Sequence, residues 1–559
     1  MASLSKSKTL FAFTSPRTIE KIIPEIEFLV TSFGGIKWDT RTQEDFYEAL
    51  YNADFFDGTV KAKNMNLAAR DRITRAPKAL GFVKLKPVIE LTDAGRRLLT
   101  GKRIHETITR QLLKFQLPSN YHKGTDNRFW VKPYLELLRL IRDMNGLSKT
   151  EIALFYTQLI HINRYDEIQQ AILDYRQSKS KFKGNAKQFI LDCAIKEIIS
   201  IYKVQIEHGD LTTRESLDTS LKRFVNTKKH NLFDYADAFI RYINATSLMA
   251  FDTSQNRIVI SNFRIPEVEF ILATVDRNPI IFERETDYQN YLFASDTPLL
   301  YGDVLENLLS KYSKYVDVSE FRLLAIESVK DRIEEIESRL RQENNLITVS
   351  NLKNYSQFDE IIQTYDKIIK RDVIDPPLYF EWNTWRAFEM INYALEVNGF
   401  FKSDINGLPI STAPGKVPDL VIEYDNFLLM VEVTLSSGYT QYNMEGEPVA
   451  RHFGTLMKTS FKPLFCLFIT PKLNQSTLAH FFTVNKTNIE FHGGMTNIIP
   501  ITLQQFIKLL SIAKSCGFNN SSKLYDLLTN IMHHHKGSLS EVLWQNSINT
   551  LINSWLQSA

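Results

Sequence analysis

The chain has 559 residues, too long for one ordinary core, and at roughly 150 residues per domain it predicts about three or four units. Hydrophobic residues at 44% and charged residues at 23% are ordinary for a soluble globular chain and exclude disordered and fibrous classes. The formal net charge of +3 means that any nucleic-acid binding has to come from local basic faces, because the protein as a whole is not basic.

The cysteines Cys193, Cys466 and Cys516 stand far apart with no CxxC or Cys/His ligand spacing, which argues against a disulfide framework or a structural zinc and fits a reducing cytoplasm. The opening MASLSKSKTLFAF lacks an apolar run long enough for a signal peptide, and no segment approaches ~20 uninterrupted apolar residues, so neither export nor a membrane span is expected. There is no repeat or low-complexity tract, so solenoids and propellers drop out.

Residues 64–99, NMNLAARDRITRAPKALGFVKLKPVIELTDAGRRLL, predict a helix carrying Arg70, Arg72, Arg75 and Lys78, then strands GFVKL and VIELT around a Lys-Pro turn. Thr92 is the expected N-cap of the following helix DAGRRLL. Helix, hairpin and helix in that order resemble a winged helix, and LTDAGRRLL is similar to the pattern that follows the wing in many such domains. A weaker instance spans 222–262, where KRFVNTKKH precedes a predicted helix NLFDYADAFIRYINATSLMAF, a polar turn DTSQNR and a strand IVIS. Ordinary α+β pieces with a solvated basic face are the alternative for both.

Between 319 and 345, Ile326, Val329, Ile333, Ile336 and Leu340 recur at alternating steps of three and four, as an amphipathic helix or short coiled coil requires, and FDEIIQTYDKIIK predicts another helix. Together they form either a connector or a helical layer on a neighbouring core. From 376 the order becomes helix, strands, helix, strand. YFEWNTWRAFEMINYALEV predicts a helix with Trp382, Trp385, Phe388 and Leu395 available for a core; DLVIEY, FLLMVEVT, PLFCLFITP and NIIPIT predict strands, and STLAHFFTV and LQQFIKLLSIAK helices.

Within this region PDLVIEYDNFLLMVEVT sets Asp419 and Glu432 into segments otherwise built like buried strands, where an unpaired charge is costly. A hairpin near Asp425-Asn426 would bring both carboxylates to one end of a sheet, with Glu381 on the preceding helix and Glu445 in the loop or strand just after. Acids so gathered repel one another without a cation, and hard divalent ions such as Mg²⁺ take oxygen ligands of this kind. A phosphoryl-transfer site is expected.

PD, a spacer and EVT resemble the PD-(D/E)xK nuclease core, with Thr434 where most of that superfamily has lysine. FEWNTW, PDLVIEYDNFLLMVEVT and TQYNMEGEPVARH together closely resemble the type IIS restriction endonucleases of the AlwI, PleI and MlyI group and their nicking relatives, in which a glutamate supplies the last catalytic position. SPRTIEKIIPE, RDRITRAPKALGFV, LTDAGRRLL and LLKFQLPSNYHKG are similar to that group's recognition domain, while 160–375 matches loosely.

The resemblance implies a multidomain α+β protein: a winged-helix-type DNA-recognition subdomain at 1–140, a second at 141–300, a helical linker at 301–375 and a PD-(D/E)xK-like nuclease domain at 376–559. It implies Glu381, Asp419, Glu432 and Glu445 as catalytic carboxylates, His452 as a group orienting water or phosphate, and Mg²⁺ held by Asp419 and Glu432. Arg17, Arg70, Arg72, Arg75 and Lys78 are the candidate contacts to double-stranded DNA. Cleavage at a fixed distance from a short asymmetric site would leave 5′ phosphates. A double-strand break would need a second copy or a small second subunit, and an unpaired chain would nick. A cognate methyltransferase is implied by analogy. A noncleaving winged-helix regulator or specificity subunit is the competing class. The run His533-His534-His535 is expected to be a surface patch, since adjacent helical residues point about 100° apart, and no GxxxxGK[ST] loop implies ATP.

Overall fold

The computed structural model describes all residues except 1, 6, 54, 57–60, 124–127, 214, 215, 217, 253, 254, 392, 414–416, 519 and 556–559. The chain divides into two compact units, residues 1–333 and 334–559, and the division falls inside the helix Ile326–Leu352. No helix among the described residues is long and apolar enough to cross a membrane.

The first unit is mainly helical. Asn64 caps the helix Met65–Ile73 by accepting from the Leu67 N–H at 3.0 Å, and a short turn Ala76–Ala79 follows. Val83–Lys84 and Glu90–Leu91 pair antiparallel, shorter strands than the sequence pattern suggests. Thr92 is the N-cap of Asp93–Leu99: its Oγ1 accepts from the Gly95 N–H at 3.0 Å and donates to the Gly81 carbonyl at 2.6 Å. Gly95 is required by close approach, because a Cβ there would lie 2.1 Å from the Phe82 carbonyl oxygen. The helix–hairpin–helix order over 64–99 is therefore present.

Farther along, Leu221–Asn244 is one helix that includes KRFVNTKKH. It ends earlier than its amphipathic pattern suggests, since Met249–Asp252 is a strand paired antiparallel with Arg257–Ile260. Strand pairing takes the Met-Ala-Phe run away from the helix, an outcome that local propensity does not decide.

In the second unit, the helix Pro376–Ile391 (α1) opens on two prolines whose fixed φ suits a first turn. It stops short of Leu395, which is 61% exposed rather than a core residue, and Glu396–Gly399 becomes an edge strand, β1. Leu420–Glu423 (β2) and Leu428–Val433 (β3) form the expected hairpin, with the Tyr424 N–H bonded to the Phe427 carbonyl at 3.0 Å. Then come the helix Tyr439–Met457 (α2), Leu464–Thr470 (β4), Gln475–Val484 (α3), Ile498–Thr502 (β5) and Leu503–Cys516 (α4).

The sheet order is β5-β4-β3-β2-β1, parallel from β3 to β5 and antiparallel from β3 to β1. Strand alternation sends Met430, Cys466, Phe468 and Ile498 to one face, where they pack with Val449, Ala450 and Phe453 of α2 and Phe481 and Val484 of α3. The alternate residues Val431, Leu467, Ile469 and Ile501 are also buried, and α1 and α4 pack against this part of the sheet. Burial on both faces explains why β4 reads as an unbroken apolar run.

The histidine run is not wholly a surface patch. His533 and His534 are exposed, but His535 is fully buried, donating from Nε2 to the Phe482 carbonyl at 3.0 Å with its ring 4.6 Å from Trp544.

Arg72 is tied into the first unit by Glu25, which is 2% exposed; Nε donates to Oε2 at 2.9 Å and Nη2 to Oε1. Burial raises the Glu25 pKa in spite of this partner. Arg72→Ala is expected to destabilise the unit by on the order of 3 kcal/mol at pH 8, and by less at pH 5, because a carboxyl raised by burial protonates more readily as pH falls. Denaturant unfolding at the two pH values measures the difference.

Candidate active site

Strand parity and helix spacing assemble the site. Glu432 shares the face of Met430, two residues earlier on β3, and so points toward α2; Thr434, two residues on, continues that face. Glu445 and His452 are seven residues apart, about two turns, and share one side of α2. His452 Nδ1 lies 2.8 Å from Glu432 Oε1, and Thr434 Oγ1 donates to Glu445 Oε1 at 2.6 Å. Ser436 supports both, its N–H donating to Thr434 Oγ1 at 3.0 Å and its hydroxyl to Glu445 Oε1 at 3.4 Å. The hairpin supplies Asp419, whose Oδ2 accepts from the Val433 N–H at 2.8 Å across the strands. Glu381, on α1, is 6% exposed and accepts from the Ala413 N–H at 2.8 Å.

The turn into α2 needs Gly438, which has φ 61 and ψ −150, a region that side-chain-bearing residues avoid. Gln441, fully buried, then ties the connection down: Nε2 donates to the Ser436 carbonyl at 2.9 Å, Thr470 Oγ1 at 2.8 Å and the Lys472 carbonyl at 3.1 Å. Glu445 therefore sits on a helix and not in a loop or strand.

Asp419, Glu432, Thr434, Glu445 and His452 line a cleft of about 480 Å³, together with Arg371 at the end of the helix Phe358–Lys370. Glu381 does not line it, yet it is close enough to raise Glu432 electrostatically.

Burial is the first cause of every acid shift here. It pushes Glu432 well above the ordinary carboxylate range, and Glu445 and Glu381 push it further. Asp419 is raised by burial and then by Glu432 and Glu445, so in the absence of a cation both carboxyls are raised. Burial and Asp419 raise Glu381, and burial raises Glu445 against the opposing hydroxyl bonds. Burial lowers His452 to about 4, so its contact with Glu432 is a hydrogen bond in which the ring is neutral. His452 Nε2 is buried with no hydrogen-bond partner among the described residues.

No three His, Cys, Asp or Glu side chains among the described residues form a ready metal cage. The Asp419–Glu432 pair is the oxygen donor set that suits a hard cation of the kind bound by one or two carboxylates with substrate completing its shell.

The basic candidates lie in the other unit. Arg72 is paired with Glu25, Arg75 with Asp71 at 2.9 Å, and Arg17 lies 3.7 Å from both Asp234 and Asp237. Lys78 Nζ stands 4.2 Å over the Tyr121 ring, its pKa lowered by burial. Arg70 is exposed and makes no ion pair among the described residues. Thr434, Ser436, Gln441 and Arg371 were not singled out as site residues by sequence reasoning. The hydroxyls sit directly after the last strand acid and could have been found there; Arg371 lies 48 positions before Asp419 with no pattern linking them.

A family model described as AlwI restriction endonuclease matches residues 78–509, most of the chain. The chain belongs to the AlwI restriction endonuclease family. It is thereby a restriction endonuclease of the site-specific nuclease class. The AlwI match includes Lys78 and all of Glu381, Asp419, Glu432, Glu445 and His452, while Arg17, Arg70, Arg72 and Arg75 precede it. Two solved structures are similar to this AlwI-family chain. One is the small subunit (R.BspD6I2) of the heterodimeric restriction endonuclease R.BspD6I, 28% identical, covering 35% of this chain and 99% of that one, with a TM-score of 0.31. The other is the BpuJ1 endonuclease binding domain in complex with pyrene- and phenanthrene-modified DNA, 13% identical, covering 51% of this chain and 96% of that one, with a TM-score of 0.33. No curated protein matches the chain.

The raised acids make a signed prediction for the metal-free protein. An acid whose pKa is higher folded than unfolded favours folding below its unfolded value, and this contribution is lost as pH rises toward the folded value. Asp419→Asn is therefore expected to raise the thermal midpoint at pH 8 and to have little effect at pH 4, read by thermal unfolding in chelator.

Proposed function

We propose that this AlwI-family protein is a type IIS restriction endonuclease: one unit reads a short asymmetric duplex sequence, and the other hydrolyses DNA at a fixed distance from it in the presence of Mg²⁺. The observation that carries this reading is the convergence of Asp419, Glu432, Glu445 and His452 on one cleft. Winged-helix-type recognition would use phosphate contacts from exposed basic side chains together with reach into the major groove.

Asp419 and Glu432 would hold Mg²⁺ as carboxylates, and burial and repulsion from neighbouring acids, which raise both, favour proton loss only when the ion is there to take their charge. When bound, the ion supplies Lewis acidity toward the phosphate and acidifies a bound water. Glu445 is held by Thr434 and Ser436 through Oε1, leaving Oε2 to take the proton of the attacking water; burial raises its pKa and so makes it a stronger base than an exposed glutamate. His452 fixes Glu432 by donating from Nδ1, which leaves Nε2 as an acceptor that can orient a water. Attack on phosphorus with departure of the 3′ oxygen leaves a 5′ phosphate. One such site cuts one strand, so a double-strand break calls for a second copy or a small subunit, and a chain acting alone nicks. A methyltransferase protecting the same DNA site belongs to this proposal.

Incubation with Mg²⁺ and long supercoiled DNA, followed by sequencing of the ends, tests it. Ends at a constant offset from one asymmetric motif are expected, and Glu432→Ala is expected to slow their formation by on the order of 100- to 1,000-fold. Open circles alone would assign a nickase. Intact DNA in Mg²⁺ and Mn²⁺, with site-specific binding retained, would overturn cleavage in favour of a noncleaving specificity protein.

A further inference from the structure

We propose that Arg371, on a different element from the acids, binds the phosphate of the strand being cut. The inference rests on the nuclease reading above. Its starting point is an electrostatic conflict. A phosphate entering the cleft meets Asp419, Glu432 and Glu445, and like charges repel it. Among the described residues lining that cleft, Arg371 is the one Arg or Lys, and its guanidinium is always charged.

Three further features set Arg371 apart. Its side chain is exposed and makes no ion pair among the described residues, unlike Arg386, which donates to Glu360 at 2.9 Å and Gln357 at 2.7 Å. A guanidinium that shares a cleft with three acids yet is not bonded to them remains available to an incoming anion, and its planar fork matches two phosphate oxygens. Its backbone also sits at φ 56 and ψ 36, closing the helix Phe358–Lys370 in the left-handed conformation where glycine is the usual residue. A long side chain is placed there against the backbone preference.

The hydrolytic step is unchanged by this assignment. The water oxygen bonds to phosphorus, the P–O3′ bond breaks, one water proton passes to Glu445, and the 3′ oxygen takes a proton from solvent. Arg371 donates N–H groups to the nonbridging oxygens, whose charge is present in the bound state and in the transition state.

The test uses the full chain and duplexes centred on the cut position mapped with plasmid DNA. Arg371→Gly keeps the left-handed conformation accessible and is expected to retain the wild-type thermal midpoint and recognition-site affinity. Its single-turnover cleavage rate is expected to fall about 100-fold, with partial recovery in Arg371→Lys. In metal-free binding, a duplex carrying one neutral methylphosphonate at the cut position is expected to bind wild type more weakly than unmodified DNA, and to bind Arg371→Gly no more weakly. Wild-type cleavage rates in Arg371→Gly, or an equal methylphosphonate effect in both proteins, would overturn the assignment while leaving the nuclease reading intact. A wild-type protein that cuts no DNA would instead remove the nuclease reading, and this assignment with it.

Discussion

The second unit is organised around one unfavourable contact: the carboxyls of Asp419 and Glu432 meet at the end of a buried hairpin, within the field of Glu381 and Glu445. Removing like charges from water and placing them side by side opposes folding. Much of the surrounding detail offsets it. Backbone N–H groups of Val433 and Ala413 serve Asp419 and Glu381, hydroxyls of Thr434 and Ser436 serve Glu445, and His452 serves Glu432. These bonds fix where each oxygen points. The apolar contacts of α2 with β3 and β4 hold the helix that brings Glu445 and His452 to the strand.

The first unit handles charge in the opposite way. Several of its buried or half-buried acids are matched: Glu25 with Arg72, Glu136 with Arg277 at 2.7 Å, Glu151 with Arg176 at 2.7 Å, and Asp303 with Arg110 at 2.6 Å and Lys330 at 2.6 Å. Arginines spent in this way serve the fold. They are poor candidates for DNA contact, because withdrawing one leaves a buried acid alone. With a net charge of only +3, the attraction of this protein for DNA has to come from cations such as Arg70 that are not so committed.

The strands around the acids were legible because a fully buried parallel strand has a plain signature, an apolar run bounded by turn residues, as in PLFCLFITP and the Asp425-Asn426 hairpin. Thr92 was legible as a cap for a similarly local reason. The failures came where tertiary structure overrode local preference. Leu395 continues the helical pattern of α1 but is exposed beyond its end, because the chain turns to add an edge strand. TQYNMEGEPVARH contains Gly446 and Pro448 and reads as loop or strand, yet the buried face of Val449, Ala450 and Phe453 keeps it helical. His535 joined an apolar pocket with Trp544 that nothing in a run of three histidines announces. Arg371 reaches the cleft by long-range packing, which spacing along the chain does not encode.

The central claim is that the raised carboxyls of Asp419 and Glu432 mark a place built for a divalent cation. Calorimetric titration of Mn²⁺ into the metal-free protein at pH 7, repeated in buffers of different ionisation enthalpy, tests it directly. Wild type is expected to bind the ion with release of a proton, because raised carboxyls must ionise to coordinate. Asp419→Asn is expected to lose both the binding and the proton release. Equal affinity and equal proton release in wild type and variant would contradict the account.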